Sequence, residues 1–251
     1  FLFILASSCS EAEDSILKPS AYEMYLNYDE ATEKKSLLSN LEFWTHKLEK
    51  APNQTPYHTK LARVYSQLFT NTGEITHLKY AEQHLITANE QTNYTNANYV
   101  RSLAYNYISQ HQFKKALALL EKAETNGEKL NSTQKMLFDV HLELGNDERA
   151  QAYLKKIKNL NEFDYLIRVS KWNDHLGDLE VAINFMERAL QKATSGNREQ
   201  LKIWAYTNLA DFYGHNGEVN KAYKLYIKAL ELEPNNSYAK KALAWIAYSH
   251  D

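Results

Sequence analysis

A chain of 251 residues could form one large domain, two small ones or a single stacked helical array. Its 44% hydrophobic and 24% charged residues are those of an ordinary globular protein, and a formal net charge of −2 argues against a general nucleic-acid binder, which carries a basic excess. Seven Gly and four Pro are too few for a sheet-rich fold with its many turns, so the expected class is all-α.

The chain opens with five apolar residues, Phe1-Leu2-Phe3-Ile4-Leu5, then Ala6-Ser7-Ser8 and the single cysteine, Cys9. Five apolar residues fall far short of the ~20 that span a bilayer as a helix. The run is similar to the end of a secretory signal, and its last residues resemble the lipobox of bacterial lipoproteins. That resemblance implies removal of residues 1–8, lipidation of Cys9 and a membrane anchor. Ser8 before the cysteine is similar to the form common in Bacteroidota, and Ser10 after it resembles an outer-membrane sorting signal. Residues 9–20, with a charge run and Pro19 but no apolar periodicity, are expected to be a flexible tether. A lone cysteine also excludes an intramolecular disulfide framework.

In the N-terminal helical segment 21–54, Leu37, Leu38, Leu41, Trp44, Thr45 and Leu48 form a helical stripe that ends at Pro52. Five similar units follow within residues 55–236. The first carries Leu61-Ala62, Tyr65, Ala81, Leu85 and Ala88. The second carries Leu103-Ala104, Tyr107, Phe113, Ala116, Leu120 and Ala123. Leu137, Gly145, Ala150, Leu154 and Ile157 mark the third, and Val169, Gly177, Ala182, Met186 and Ala189 the fourth. The fifth is the fullest: Tyr206, Leu209-Ala210, Tyr213, Gly217, Ala222, Tyr226, Ala229 and Pro234. Tyr206, Leu209 and Tyr213 fall on one helix face, the small alanines let two antiparallel helices approach, and Gly217 suits the turn between them. The marker alanines Ala116 and Ala150 stand 34 apart, Ala150 and Ala182 32, and Ala182 and Ala222 40. The last interval predicts extra residues around Ser195-Gly196-Asn197, and the stretch Phe69–Gly73 reads as a longer loop or longer helices. Residues 237–251 are amphipathic through Ala239, Ala242, Leu243, Ile246 and Ala247 and are expected to cap the array.

This pattern resembles that of tetratricopeptide-repeat (TPR) proteins. The resemblance implies a right-handed superhelix of about five helix pairs with an N-terminal packing helix and a C-terminal capping helix. It also implies a protein-binding scaffold whose groove is lined from the second, fifth, ninth and twelfth positions of each unit. Those positions hold Arg63; Asn98, Arg101, Tyr105 and Ile108; Lys135, Asp139 and Leu142; Asp164, Ile167, Lys171 and Asp174; and Trp204, Thr207 and Asp211. Cations lie toward the N-terminal units and acids toward the C-terminal ones, which suggests a partner segment with basic residues for the C-terminal half. Tyr105 and Asp139 stand where the carboxylate clamp of chaperone-binding relatives has asparagine, so a chaperone-tail receptor is not expected.

Catalytic chemistry is not legible. There is no HExxH, no Cys/His cluster, no Gly-rich phosphate loop and no G-x-S-x-G elbow. His77 and His84 are seven apart, too far to hold one ion without further ligands. The expectation is a non-enzyme without metal, cofactor or small-molecule substrate. Its partners would be another protein or peptide segment, and a membrane through lipid on Cys9 at the outer membrane of a cell envelope. The competing expectations are a subunit of an outer-membrane assembly or secretion machine, and an accessory subunit of an enzyme complex or an unrecognised hydrolase.

Overall fold

A computed structural model describes residues 19–26 and 31–250. Cys9, the expected leader and most of the expected tether lie outside those residues. The described residues form thirteen helices and no strands: α1 (Pro19–Leu26), α2 (Ala31–Lys50), α3 (Thr55–Thr72), α4 (Ile75–Gln91), α5 (Ala97–Ser109), α6 (Phe113–Asn126), α7 (Leu130–Glu143), α8 (Asp147–Lys156), α9 (Phe163–His175), α10 (Leu179–Ser195), α11 (Glu199–His215), α12 (Val219–Leu232) and α13 (Ser237–His250). From α3 to α12 they pack as five consecutive pairs, each against the next, and α13 closes the stack on α12.

The marker alanines explain the pairing. Ala81, Ala116, Ala150, Ala182 and Ala222 are all buried, and no larger side chain could let two backbones approach there. Leu120, Leu137, Phe138, Leu166, Met186 and Leu230 fill the space between layers. One apolar cluster runs from Ala62 to Val169 and a second from Phe163 to Ile246, with Phe185 packed against both.

Between paired helices, the chain turns through a left-handed residue. Gly145, Gly177 and Gly217 have φ of 70°, 83° and 78°. Each donates its N–H to the carbonyl three residues back, and the next residue closes the turn. His111, 34 residues before Gly145, holds the same place in the α5–α6 turn with φ 55°; it donates to the Ile108 carbonyl, and Gln112 donates to that of Tyr107. A side chain in this region is strained where glycine is not. His111→Gly is therefore expected to stabilise the protein by about 0.5–1 kcal/mol after glycine's larger unfolded-state entropy is subtracted, read as a higher urea midpoint.

Both spacing irregularities are taken up by helix length. The residues around Phe69 extend α3 until Gly73 ends it at φ 72°. The expected long loop after α10 is only Gly196–Arg198, because α11 begins at Glu199, before the repeat pattern does. In α2, Leu37, Leu41 and Trp44 pack with Val64 and Leu68 of α3, whereas Leu38 points to solvent.

The ends of the array hold an arrangement absent from the pattern. α1 lies against α12, at the far end from α2. Tyr25 is buried in the C-terminal cluster and Tyr22 packs on its edge. Nearby, Leu37, Gln67 and Asn71 face Gln200, Glu233, Asn236 and Tyr238 across a cleft of about 550 Å³. Residues of α2 and α3 thus share a cleft with α11, α13 and the turn before α13, and α1 is a strap laid on α12.

Candidate functional site

The first helices of four successive pairs, α3, α5, α7 and α9, line a groove of about 600 Å³. Of the sequence-predicted residues, Arg63, Asn98, Arg101, Tyr105 and Lys135 line it, as do Asp164 and Ile167. Thr59, Ser66, Ser102, Ser132 and Met136 complete much of the wall. Tyr105 is 64% exposed, so its ring is available for contact. Arg63 is exposed and makes no ion pair among the described residues.

Other groove charges are engaged. Arg101 is buried; its guanidinium donates to the Glu128 carbonyl at 3.2 Å, to the Thr133 hydroxyl at 3.1 Å and to Asn98 Oδ1 at 2.7 Å. Burial pulls its pKa down, opposed by the Glu128 carboxylate. Lys135 Nζ lies 2.8 Å from Asp164 and 3.2 Å from Glu162. Arg168 donates to the Lys135 and Asp164 carbonyls at 3.1 and 2.8 Å, and to Asp139 at 2.6 Å. Asp139 is drawn upward in pKa by burial, against the pull of Arg168. Arg101 and Arg168 thus brace α7 from the preceding and the following repeat.

The remaining predicted residues lie off this wall. Lys171 pairs with Glu143 at 3.7 Å. Asp174 is exposed. Trp204 packs edge-on against Phe163, ring centres 6.0 Å apart, at the side of the core. Asp211 accepts hydrogen bonds from Tyr226 at 2.5 Å and Tyr238 at 2.8 Å, tying α11 to α12 and α13. Burial followed by the Asp211 carboxylate pushes Tyr238 up to about 12 and Tyr226 higher still. Of the four acids that suggested a basic partner, Asp139, Asp164 and Asp211 are therefore already engaged by side chains of the protein, while Asp174 is exposed. Arg168 was missed, since the repeat template points to Ile167. The helical period could have found it, because 164, 168 and 171 share a face.

A histidine cluster lies between α3 and α4. His58 and His84 place their Nδ1 atoms 3.0 Å apart, and Tyr65 stacks on both His77 and His84. Among the described residues no three ligand-type side chains converge as a metal site would require. Burial, then the nearby His58, lowers His84 to about 4. Unfolded, it titrates near 6.5, so between those values the unfolded chain binds more protons. The stabilisation is complete above pH 6.5 and is lost as pH falls toward 4. In His84→Phe the loss of stability from pH 7 to 4.5 should be smaller than in the parent by about 1–2 kcal/mol, allowing for partial exposure, as measured by urea unfolding at each pH.

Among the described residues no helix is long and apolar enough to cross a membrane. The tetratricopeptide-repeat family profile matches residues 205–236, most of α11 and α12 with the turn that follows. No curated protein matches the chain significantly. Solved structures do. PilW, described as a widely conserved type IV pilus biogenesis factor, is similar with a TM-score of 0.57 at 13% identity, over 89% of this chain and 97% of PilW. TTC0263, a thermophilic TPR protein of Thermus thermophilus, gives 0.55 at 17% identity, over 72% and 96%. Pseudomonas aeruginosa pilF gives 0.52 at 15%, over 90% and 96%. At such identities the likeness speaks to the fold. Residues 205–236 are a tetratricopeptide repeat, and the described chain folds as a TPR-type α-α solenoid.

Proposed function

We propose that this protein is a non-catalytic scaffold that holds an extended segment of another protein in the groove of α3, α5, α7 and α9. The observation that carries the reading is the wall itself. Four repeats contribute to one continuous surface, and Arg101 and Arg168 fix three of them to one another through side-chain and backbone hydrogen bonds. A wall held in this way loses little conformational freedom on binding. Exposed Tyr105 supplies an aromatic anchor of the kind enriched at binding hot spots.

A photocrosslinking residue placed at Ser102, inside the groove, tests this in cells. It should capture a discrete protein, whereas the same residue at Lys122 on α6 should not. Equal capture from both positions, or none from Ser102, sinks the reading.

In the same proposal the scaffold is anchored to a membrane of the cell envelope, the outer membrane in particular, through lipid on Cys9. The support is the run Ala6-Ser7-Ser8-Cys9 after five apolar residues. Cells fed labelled palmitate should label the parent protein and not Cys9→Ser, and the substitution should release the protein from the membrane fraction. Absence of label on the parent overturns the anchor and leaves the groove untouched. A second reading, a subunit of an envelope assembly or secretion machine, is favoured by the size and fold shared with the pilus biogenesis factor PilW.

A further inference from the structure

We infer that the groove selects a segment with internal acidic side chains, and that these lie against its N-terminal half. The inference rests on the groove reading above. It follows from which charges along the wall already have a counter-charge and which do not. Among the lining residues, Arg63, Arg101, Lys135 and Arg168 are cationic, and Asp164 is the acid. Lys135 is answered by Asp164 and Glu162, and Arg168 by Asp139. This part of the wall is electrically closed.

The other two cations are not closed. Arg101 directs its hydrogen bonds to neutral acceptors, the Glu128 carbonyl, Thr133 hydroxyl and Asn98 amide oxygen, so no carboxylate touches it. The Glu128 carboxylate acts on it only at a distance. Arg63, on the neighbouring α3, has no ion pair at all among the described residues. A third cation joins them at the rim, where Lys129 Nζ stands 3.4 Å from Asn98 Oδ1, again a neutral acceptor. The field left over at the α3–α5 end is therefore positive, and it is strongest where low-dielectric walls limit screening. Tyr105, exposed on α5, stands at the border of this end, and beyond it Met136 of α7 and Ile167 of α9 offer apolar surface along the same wall. A segment that complements this order has acidic residues at one end and apolar or aromatic residues after them. Charge of this kind governs partner choice and capture rate more than affinity alone.

The test uses the protein as it stands and three fluorescein-labelled, amidated dodecapeptides, so that no terminal carboxylate confuses the result. One reads Asp-Asp-Ser-Asp-Asp-Ser-Leu-Phe-Ser-Leu-Phe-Ser; the others carry Ser or Lys in place of Asp. By fluorescence anisotropy the acidic peptide should bind at least about 10-fold more tightly than the Ser peptide, and its affinity should fall as salt rises from about 50 to 300 mM. Arg63→Glu, an exposed change that leaves the core intact, should weaken it by about 10-fold or more, while Asp174→Lys should not. Equal binding of the Ser or Lys peptide, or indifference to Arg63→Glu, overturns the inference. If no peptide binds although Ser102 still captures a protein in cells, the acidic preference is wrong and the groove reading stands. Failure of both removes both.

Discussion

Phe138→Ala is expected to destabilise the protein by about 3–5 kcal/mol, the usual range for emptying a fully enclosed phenylalanine site. Phe138 has no solvent exposure, and it lies on α7 at the centre of the array. Repeats contact only their neighbours, so a cavity there weakens the joint between two halves rather than one local corner. Urea unfolding followed by tyrosine and tryptophan fluorescence should show the loss as a lower midpoint. It should also show a shallower or divided transition, since a severed solenoid ceases to melt as one unit. A loss below about 1 kcal/mol would mean that α7 repacks and that the centre is not where the halves are coupled.

Removing Arg168 should come next in size. Arg168→Met takes away the donor that sits 2.6 Å from Asp139, with the two side chains 12% and 24% exposed. The half-buried carboxylate loses its hydrogen-bonded counter-charge, leaving Lys171 to act on it only at a distance, and two backbone carbonyls lose a partner. Breaking an ion pair that is mostly buried is costly because the remaining charge is stranded. The expected loss is about 2–3 kcal/mol, reduced from the fully buried case by the water that still reaches Asp139. Replacing both residues, Arg168→Met with Asp139→Leu, should recover most of it, because nothing charged is then stranded. A double variant as unstable as the single one would show that Arg168 acts through its carbonyl contacts instead.

Much of the fold was legible because a solenoid poses the same packing problem at each step. Ala116, Ala150, Ala182 and Ala222 recur because every helix pair needs one close approach, and spacing alone exposes them. The turn glycines Gly145, Gly177 and Gly217 were legible for a similar reason, while His111 was hidden because its backbone conformation does not show in its side chain. Arg63, Asn98 and Tyr105 of the groove could be read from repeat position. Which charges would remain open could not. Whether Asp139 faces a ligand or Arg168 depends on how α7 and α9 are set against one another, a distance across the array and not along it. The docking of α1 was illegible on the same ground, for nothing near Tyr25 in sequence refers to Leu230 or Leu243.

That docking joins a helix near the start of the chain to its last two helices. The surface that receives Tyr25 is made by α12 and α13, and the stack of repeats from α3 to α12 sets its place relative to α2. A mistake in any one repeat is multiplied along the array and moves the far end away. The strap then finds no seat, and Tyr25 stays in water beside a bare apolar groove formed with Leu243 and Ala247. α1 thus makes a long-range contact, from near the start of the chain to its last helices, in a fold otherwise built from neighbouring repeats.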